Sequence, residues 1–191
     1  GKSDWCILEA DESDGSFIHV PSTYSIVTNI DREHMDYYKS LNDLKNLFIS
    51  FINKVPSFGK SFICIDDKNN FEILKKIKIK NYYTYGTNIK SQFNIKNIKQ
   101  EKEFSEFDLS VKLPGKKNVI IHKVKIPLLG LHNIRNATAA AAVAITIGIS
   151  QTIIKKGLKE FKGVQRRFNK IFTFRETNFF DDYAHHPTEI N

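Results

Sequence analysis

The order of apolar runs and polar breaks along the first half of the chain predicts alternating strands and helices. Four short apolar runs, each closed by an acidic residue or a glycine, predict strands: residues 5–11 (WCILEAD), 24–31 (YSIVTNID), 61–67 (SFICIDD) and 81–86 (NYYTYG). Apolar residues at helical spacing run from Leu41 to Val55, with Ser40 as the predicted N-cap and Pro56 as the stop. Residues 69–79 predict a second helix. Strand–helix alternation of this kind is typical of a parallel sheet with crossover connections.

The second half of the chain has a different pattern. Residues 107–113 and 119–128, separated by the turn-forming PGKKN, predict a β-hairpin. An Ala-rich helix follows over residues 130–149, in which Ala137, Ala140, Ala141 and Ala144 are predicted to form one closely packing face. Ser150 is predicted to cap a further helix over 151–161, and residues beyond Gly163 predict two strands around a turn.

These elements predict an α/β fold: a mostly parallel sheet flanked by helices, with a small added antiparallel β portion. The change of pattern near Gly163 predicts a domain boundary, which gives one domain over 1–163 and the start of another over 164–191.

Composition narrows the class of protein. The chain has 191 residues, of which 41% are hydrophobic, as in globular proteins. Its net charge of +8 raises the possibility of a nucleic-acid-binding module. The lysines of residues 75–102 are spread among Asn and Ile, however, which favours an ordinary solvated surface and no nucleic-acid partner.

The apolar run of 137–149 is too short to predict membrane insertion. Cys6 and Cys64 lie in apolar runs and are predicted to be buried free thiols, which favours a cytoplasmic setting.

Two polar segments follow predicted strands and are candidates for a metal site. Glu9 closes the first strand and opens an acidic segment over residues 9–17, and His34 lies just after the second strand. Ligands of open α/β sheets gather at the carboxyl ends of strands, where a carboxylate can hold a divalent cation beside phosphates. An acidic loop is more often merely solvated, and a lone histidine is usually structural. The matched position of Glu9 and His34 favours the functional interpretation.

Two further segments carry groups suited to a nucleotide. Asn133 and Asn136 are three apart near a helix start and so share a face, where their amides suit an adenine edge or a ribose. Capping of the helix by Asn133 is the alternative, but it leaves Asn136 unexplained. Arg167 offers a fork for phosphate, a weak indication in a basic protein.

Five segments in this order resemble the Mur ligases: EADESDGSF, IVTNIDREHMD, GLHNIRNATAAAAVA, FKGVQRRF and DDYAHHPTEI. Within that family, the first two resemble the branch that joins L-alanine to UDP-N-acetylmuramate. The resemblance implies three domains, of which this chain would hold most of the central one and the first stretch of the C-terminal one. DDYAHHPTEI would then be the first strand and helix start of that last domain. The family's phosphate-binding loop, usually GTHGKT, is absent, so the chain alone is expected to be inactive.

The resemblance also implies a reaction and residue roles. ATP would phosphorylate the lactyl carboxylate of UDP-N-acetylmuramate, and the amine of L-alanine would attack the acyl phosphate. Glu9 and His34 match magnesium ligands, Asn133 and Asn136 match adenine contacts, and Arg167 and Asp182 match contacts to phosphate and ribose. Tyr183 and His185 match the region that faces the muramyl substrate. Ala184 stands where the family often has Gly, a change expected to be tolerated.

Two other interpretations stay open at this point. A related ligase, for muropeptide recycling or folylpolyglutamate synthesis, would share most of these segments but select another substrate. A basic module for nucleic acid is a third possibility, and the ordered match of five segments makes it the weakest.

Overall fold

Eight strands and four α-helices make up the computed structural model, which describes residues 4–78, 81–164 and 169–184. The strands are β1 (Tyr24–Val27), β2 (Lys60–Cys64), β3 (Tyr82–Gly86), β4 (Phe93–Gln100), β5 (Ser105–Val111), β6 (Val119–Ile126), β7 (Asn169–Phe174) and β8 (Thr177–Asp181). The helices are α1 (Leu41–Asn53), α2 (Lys68–Ile73), α3 (Leu131–Thr146) and α4 (Gln151–Glu160).

The first six strands form one sheet in the order in which they occur along the chain. β1 to β4 pair in parallel, whereas β4, β5 and β6 pair antiparallel. β7 and β8 form a separate antiparallel pair. The predicted α/β class is therefore confirmed, including its parallel part and its added antiparallel part.

Helices cover both faces of the sheet, as the alternation of side chains on β2 shows. Phe62 and Cys64 belong to a buried cluster that includes Ile134 of α3, whereas Ile63 belongs to a second cluster with Leu44 of α1. Successive side chains of a strand point to opposite faces, so α1 and α3 lie on opposite sides of the sheet. A strand buried on both faces explains the continuous apolar run SFICI.

Local capping begins α1 where the sequence predicts it. The Ser40 hydroxyl accepts a hydrogen bond from the backbone N–H of Asp43 at 3.2 Å and donates one to the Asp43 carboxylate at 2.9 Å. The first of these hydrogen bonds caps the helix at the N–H of Asp43, and the second holds the Ser40 hydroxyl in the capping position. The helix ends at Asn53, three residues before Pro56.

The prediction of a buried strand over residues 5–11 is wrong. This segment has no strand pairing within the described part of the chain, and Ile7 is 96% exposed. An apolar run becomes a strand only when a neighbouring strand accepts its hydrogen bonds, and β1 is paired on the β2 side alone among the described residues. Cys6 is consequently exposed, contrary to prediction, whereas Cys64 is buried; both are free.

The alanine face predicted for α3 is present except at Ala140: Ala141 is buried, and Ala137 and Ala144 are partly buried against the same core cluster. Its buried residues are Ile134, Thr138, Ala139, Ala141 and Ala142, and Ala140 is exposed. Ile134 is the buried apolar residue of the first turn, and its burial against the sheet sets the rotation of the helix. Across the described residues, no helix has the length and apolar character needed to cross a bilayer.

Candidate functional site

The loops that follow β1, β2 and β3 meet at one edge of the sheet, which we call the carboxyl edge (residues 28–38, 65–67 and 87–92). Asn70, fully buried at the start of α2, joins two of these loops. Its amide donates to the carbonyl of Cys64 at 3.0 Å and to that of Thr28 at 3.2 Å. The carboxyl ends of parallel strands are where ligands bind in open α/β sheets.

His34 occupies a tight turn in the loop after β1. Its φ of 55° is in the left-handed region, and its carbonyl accepts hydrogen bonds from the N–H groups of Tyr37 and Tyr38, both at 3.0 Å. The buried Tyr38 hydroxyl in turn donates to the carbonyl of Glu12. This hydrogen bond attaches the acidic segment to the histidine turn, which the sequence does not reveal.

The acidic segment and the histidine turn bring three potential metal ligands together. Ligand atoms of Glu12, Glu33 and His34 all lie within 4.8 Å of one another. In the described residues the carboxylates beside His34 thus come from Glu12 and Glu33, whereas the sequence favours Glu9. Glu9 is exposed and follows no strand, so its predicted position at a strand end is wrong. Its role as a metal ligand stays a prediction.

Two carboxylates of the same segment are held in local turns. Asp11 accepts from the N–H of Ser13 at 2.7 Å, and Asp14 accepts from the N–H of Ser16 at 2.9 Å. The Ser13 hydrogen bonds are the main cause that holds the pKa of Asp11 below its ordinary value. Both carboxylates are acting as turn-forming acceptors, a common use of aspartate in loops.

Asp66, two residues after the end of β2, is a carboxylate of this edge with several hydrogen-bond donors. It accepts from the N–H groups of Thr87 and Asn88, both at 2.9 Å, and from Nε of Arg135 at 2.8 Å. Burial acts to raise the pKa of Asp66, but these donors outweigh it and hold the pKa below its ordinary value. Sequence reasoning did not select Asp66 or Arg135, although CIDD places acids directly after an apolar run just as EADESD does.

Asn133 and Asn136 both lie in the first two turns of α3, as predicted. Asn133 is half-buried, and its amide donates to the carbonyl of Leu129 at 2.7 Å, while Asn136 is exposed. The residue at the N-cap is Gly130, so helix capping does not account for Asn133. Their adenine contact stays a prediction.

The remaining predicted site residues lie at the end of the chain. Asp182 and Tyr183 are exposed just after β8, and the Asp182 carboxylate accepts from the N–H of Ala184 at 2.8 Å. Arg167 and His185 lie outside the described residues, as does the helix start predicted at Pro187.

A group of lysines lies elsewhere on the molecule. A cleft of about 420 Å³ between β6 and α4 is lined by Lys123, Lys125, Lys155, Lys156, Lys159 and Glu160. β6 is an edge strand of the six-stranded sheet. Lys123 and Lys125 lie on this strand, and lysines on an edge strand oppose pairing with other chains, which gives these two residues a structural explanation.

A mostly parallel sheet that helices cover on both faces, with carboxylates, an imidazole and amides at its carboxyl edge, places the chain in the α/β class. The family model for the Mur ligase middle domain matches residues 2–144, and the chain belongs to this family.

The chain is also similar in sequence to individual ligases. The chain is 82% identical over 190 residues to the UDP-N-acetylmuramate–L-alanine ligase of Pelagibacter ubique (strain HTCC1062), with 100% of this chain and 41% of that protein covered. It is 43% identical over 192 residues to the ligase of the same name from Rickettsia bellii (strain OSU 85-389), again with 100% of this chain and 40% of that protein covered. The chain thus spans about two-fifths of the length of these relatives.

Solved structures share the fold. The UDP-N-acetylmuramate-alanine ligase of Thermotoga maritima superposes with a TM-score of 0.70 at 27% identity, covering 94% of this chain and 39% of that chain. MurF from Acinetobacter baumannii superposes with a TM-score of 0.74 at 24% identity, covering 95% of this chain and 38% of that chain. At the latter identity the likeness concerns the fold alone.

Proposed function

We propose that this chain is part of an ATP-dependent ligase that joins L-alanine to UDP-N-acetylmuramate through an acyl phosphate, in peptidoglycan precursor synthesis. The observation that carries the proposal is the 82% identity, across the whole chain, to a ligase of that name. Residues 1–163 would belong to the central ATP-binding domain and 164–191 to the start of the C-terminal domain. The cytoplasm is the compartment that fits this reaction.

The proposed residue roles are those that the resemblance to the family implies. Asn133 and Asn136 would contact adenine, and Asp182 would bind ribose. Arg167 would contact phosphate, while Tyr183 and His185 would face the muramyl substrate. Glu9 and His34 would hold magnesium, with Glu12 and Glu33 as further candidates because of their distance to His34.

The potential metal ligands Glu12, Glu33 and His34 fit a divalent cation. Two carboxylates supply the hard oxygen ligands that magnesium prefers, and the imidazole is also accepted by manganese or zinc. A cation there would neutralise charge on the transferring phosphoryl group when bound. The chain's own contribution is positioning: Tyr38 fixes Glu12 and the His34 turn together, so the ligands are held before the substrate arrives.

The direct test is turnover by the complete protein. It should release phosphate from ATP only when magnesium, UDP-N-acetylmuramate and L-alanine are all present, and mass spectrometry should find the amide product. Replacing L-alanine by the tripeptide L-alanyl-γ-D-glutamyl-meso-diaminopimelate tests for a recycling ligase. Turnover with the tripeptide but not with L-alanine would contradict the proposal.

Two other assays address the remaining alternatives. Glutamate addition to a folate would indicate a folylpolyglutamate synthase, and the solved L. casei FPGS shares only the fold with this chain, at 16% identity. Binding to a duplex DNA should be weak and non-specific, because we propose no nucleic-acid partner. Tight binding that falls steeply with salt would contradict that part of the proposal.

A further inference from the structure

An ion pair joins the first turns of α3 to the sheet. Nε of Arg135 lies 2.8 Å from Oδ2 of Asp66, and the aspartate side chain is 5% exposed against 33% for the arginine. The sequence separation of the two residues is 69 positions. Charge-assisted hydrogen bonds of this length are the strong ones in proteins.

The position of Asp66 is itself fixed by the neighbouring loop. The N–H and hydroxyl of Thr87 donate to Oδ2 at 2.9 and 3.0 Å, and the N–H of Asn88 donates to Oδ1 at 2.9 Å. Gly86 makes room for this arrangement, since a Cβ there would lie 2.5 Å from Oδ1. The carboxylate therefore acts as a rigid anchor shared by the ends of β2 and β3.

Arg135 lies between the two asparagines of α3. Asn133 and Asn136 occupy the same two turns, and the buried Ile134 beside them fixes the helix rotation. Apolar burial resists separation of the helix from the sheet, but it is non-directional and specifies the position along the sheet less well than a hydrogen bond does. The Asp66 anchor supplies that directional constraint next to the amides.

We propose that Arg135 is a positioning residue for the nucleotide, which holds Asn133 and Asn136 at the carboxyl edge through its ion pair with Asp66. This inference rests on the proposed ATP-dependent function. It adds a residue pair that acts on nucleotide affinity and not on the chemical step. Loss of the pair should weaken ATP binding because the amides are no longer held in place before binding.

The test uses the complete protein with Arg135→Met, which keeps the side-chain length and removes the donors. We expect the KM for ATP to rise about tenfold, the effect of losing one charge-assisted hydrogen bond, with kcat changed less than about twofold. Arg135→Lys, which keeps a charge, should restore the KM to within about threefold of the unsubstituted protein. Arg175→Met, in the β7–β8 turn, is the matched control for loss of a guanidinium.

A double-mutant cycle with Asp66→Asn separates positioning from general destabilisation. The double variant should have a KM for ATP no higher than that of Asp66→Asn alone, because the same interaction is removed twice. If Arg135→Met lowers the Tm but leaves the KM for ATP at the Arg175→Met value, the inference is wrong. If Arg135→Met does not fold, Arg135→Gln, which also removes the charge, carries the same comparison.

Binding of ATP to the unsubstituted protein is measured first, by calorimetry. Absence of that binding would overturn the proposed function and this inference with it. Normal ATP binding that no Arg135 variant changes would overturn the inference alone.

Discussion

Asp108 on β5 accepts a hydrogen bond from the backbone N–H of Lys123 on β6 at 2.8 Å, where Lys123 has a φ of 54°. The strand pairing shifts register at this point, so the carboxylate satisfies an N–H in an irregular part of the ladder. Asn97 of β4, at φ 51° in a second irregularity, donates to the same carboxylate at 2.9 Å. One carboxylate thus stabilises two adjacent bulges.

Low pH should destabilise the antiparallel part of the sheet, because the Asp108 carboxylate becomes protonated. The Asn97 amide, followed by the Lys123 N–H, lowers the pKa of Asp108 from 3.8 to about 2. A lowered pKa in the folded state means that the stabilisation is complete above pH 3.8 and is lost as the pH falls towards about 2. Thermal unfolding of the protein and of Asp108→Asn should therefore give Tm values that differ most above about pH 5 and converge in acid.

Asp4→Asn is the control for this measurement, because Asp4 is exposed near the start of the described chain. Its Tm difference from the unsubstituted protein should stay small at every pH. A constant Tm difference for Asp108→Asn from neutral pH down to about pH 2 would contradict the assignment.

Two glycine substitutions should change the free energy of unfolding in opposite directions. Gly157 lies inside α4 with open space where a Cβ would point, so Gly157→Ala should raise the free energy of unfolding by about 0.5–1 kcal/mol. Gly86 has a φ of 139° and no room for a Cβ beside Asp66, so Gly86→Ala should lower it by about 1–3 kcal/mol. Urea unfolding of both variants checks the signs, and a stabilising Gly86→Ala would contradict the close approach to Asp66.

Metal ligands can be assigned by comparing three variants of the complete protein. His34→Ala should reduce kcat at least about 100-fold with the fold retained, because a ligand should matter at least as much as its supporting residues. Manganese titration followed by electron paramagnetic resonance then compares Glu9→Gln with Glu12→Gln. The variant with the weaker manganese binding identifies the carboxylate that completes the site.

Asp14→Asn is a suitable control, since Asp14 accepts from Ser16 in a local turn and lies outside the three-residue group. Unchanged kcat in His34→Ala would refute the metal assignment. Unchanged manganese affinity in both glutamate variants would remove these two carboxylates from the site.

The two asparagines of α3 should differ in what their loss does to stability. Asn136 is exposed, so Asn136→Ala should raise the KM for ATP and leave the Tm nearly unchanged. Asn133 also donates to the carbonyl of Leu129, so Asn133→Ala should raise the KM for ATP and lower the free energy of unfolding by about 1 kcal/mol. Kinetics and thermal unfolding of both variants check this, and a KM for ATP that neither variant changes would exclude the adenine contact.

Local rules in the sequence determined most of the secondary structure and the fold class. The Ser40 cap, the helical spacing after it and the Ser150 cap are short-range features, and α1 and α4 begin where those features predict. Alternation of strand and helix likewise predicted the parallel part of the sheet. The family could also be inferred from sequence, because the order of five short segments is itself a sequence property.

Only the tertiary structure decided which polar groups meet. Residues 5–11 carry a strand pattern, yet they are exposed, because pairing depends on a neighbouring strand and not on the run itself. Glu12 lies beside His34 because Tyr38, far along the chain, binds its carbonyl. Asp66 and Arg135 are joined across 69 positions by the packing of α3 on the sheet. Such contacts follow from chain folding in three dimensions, so no local pattern contained them.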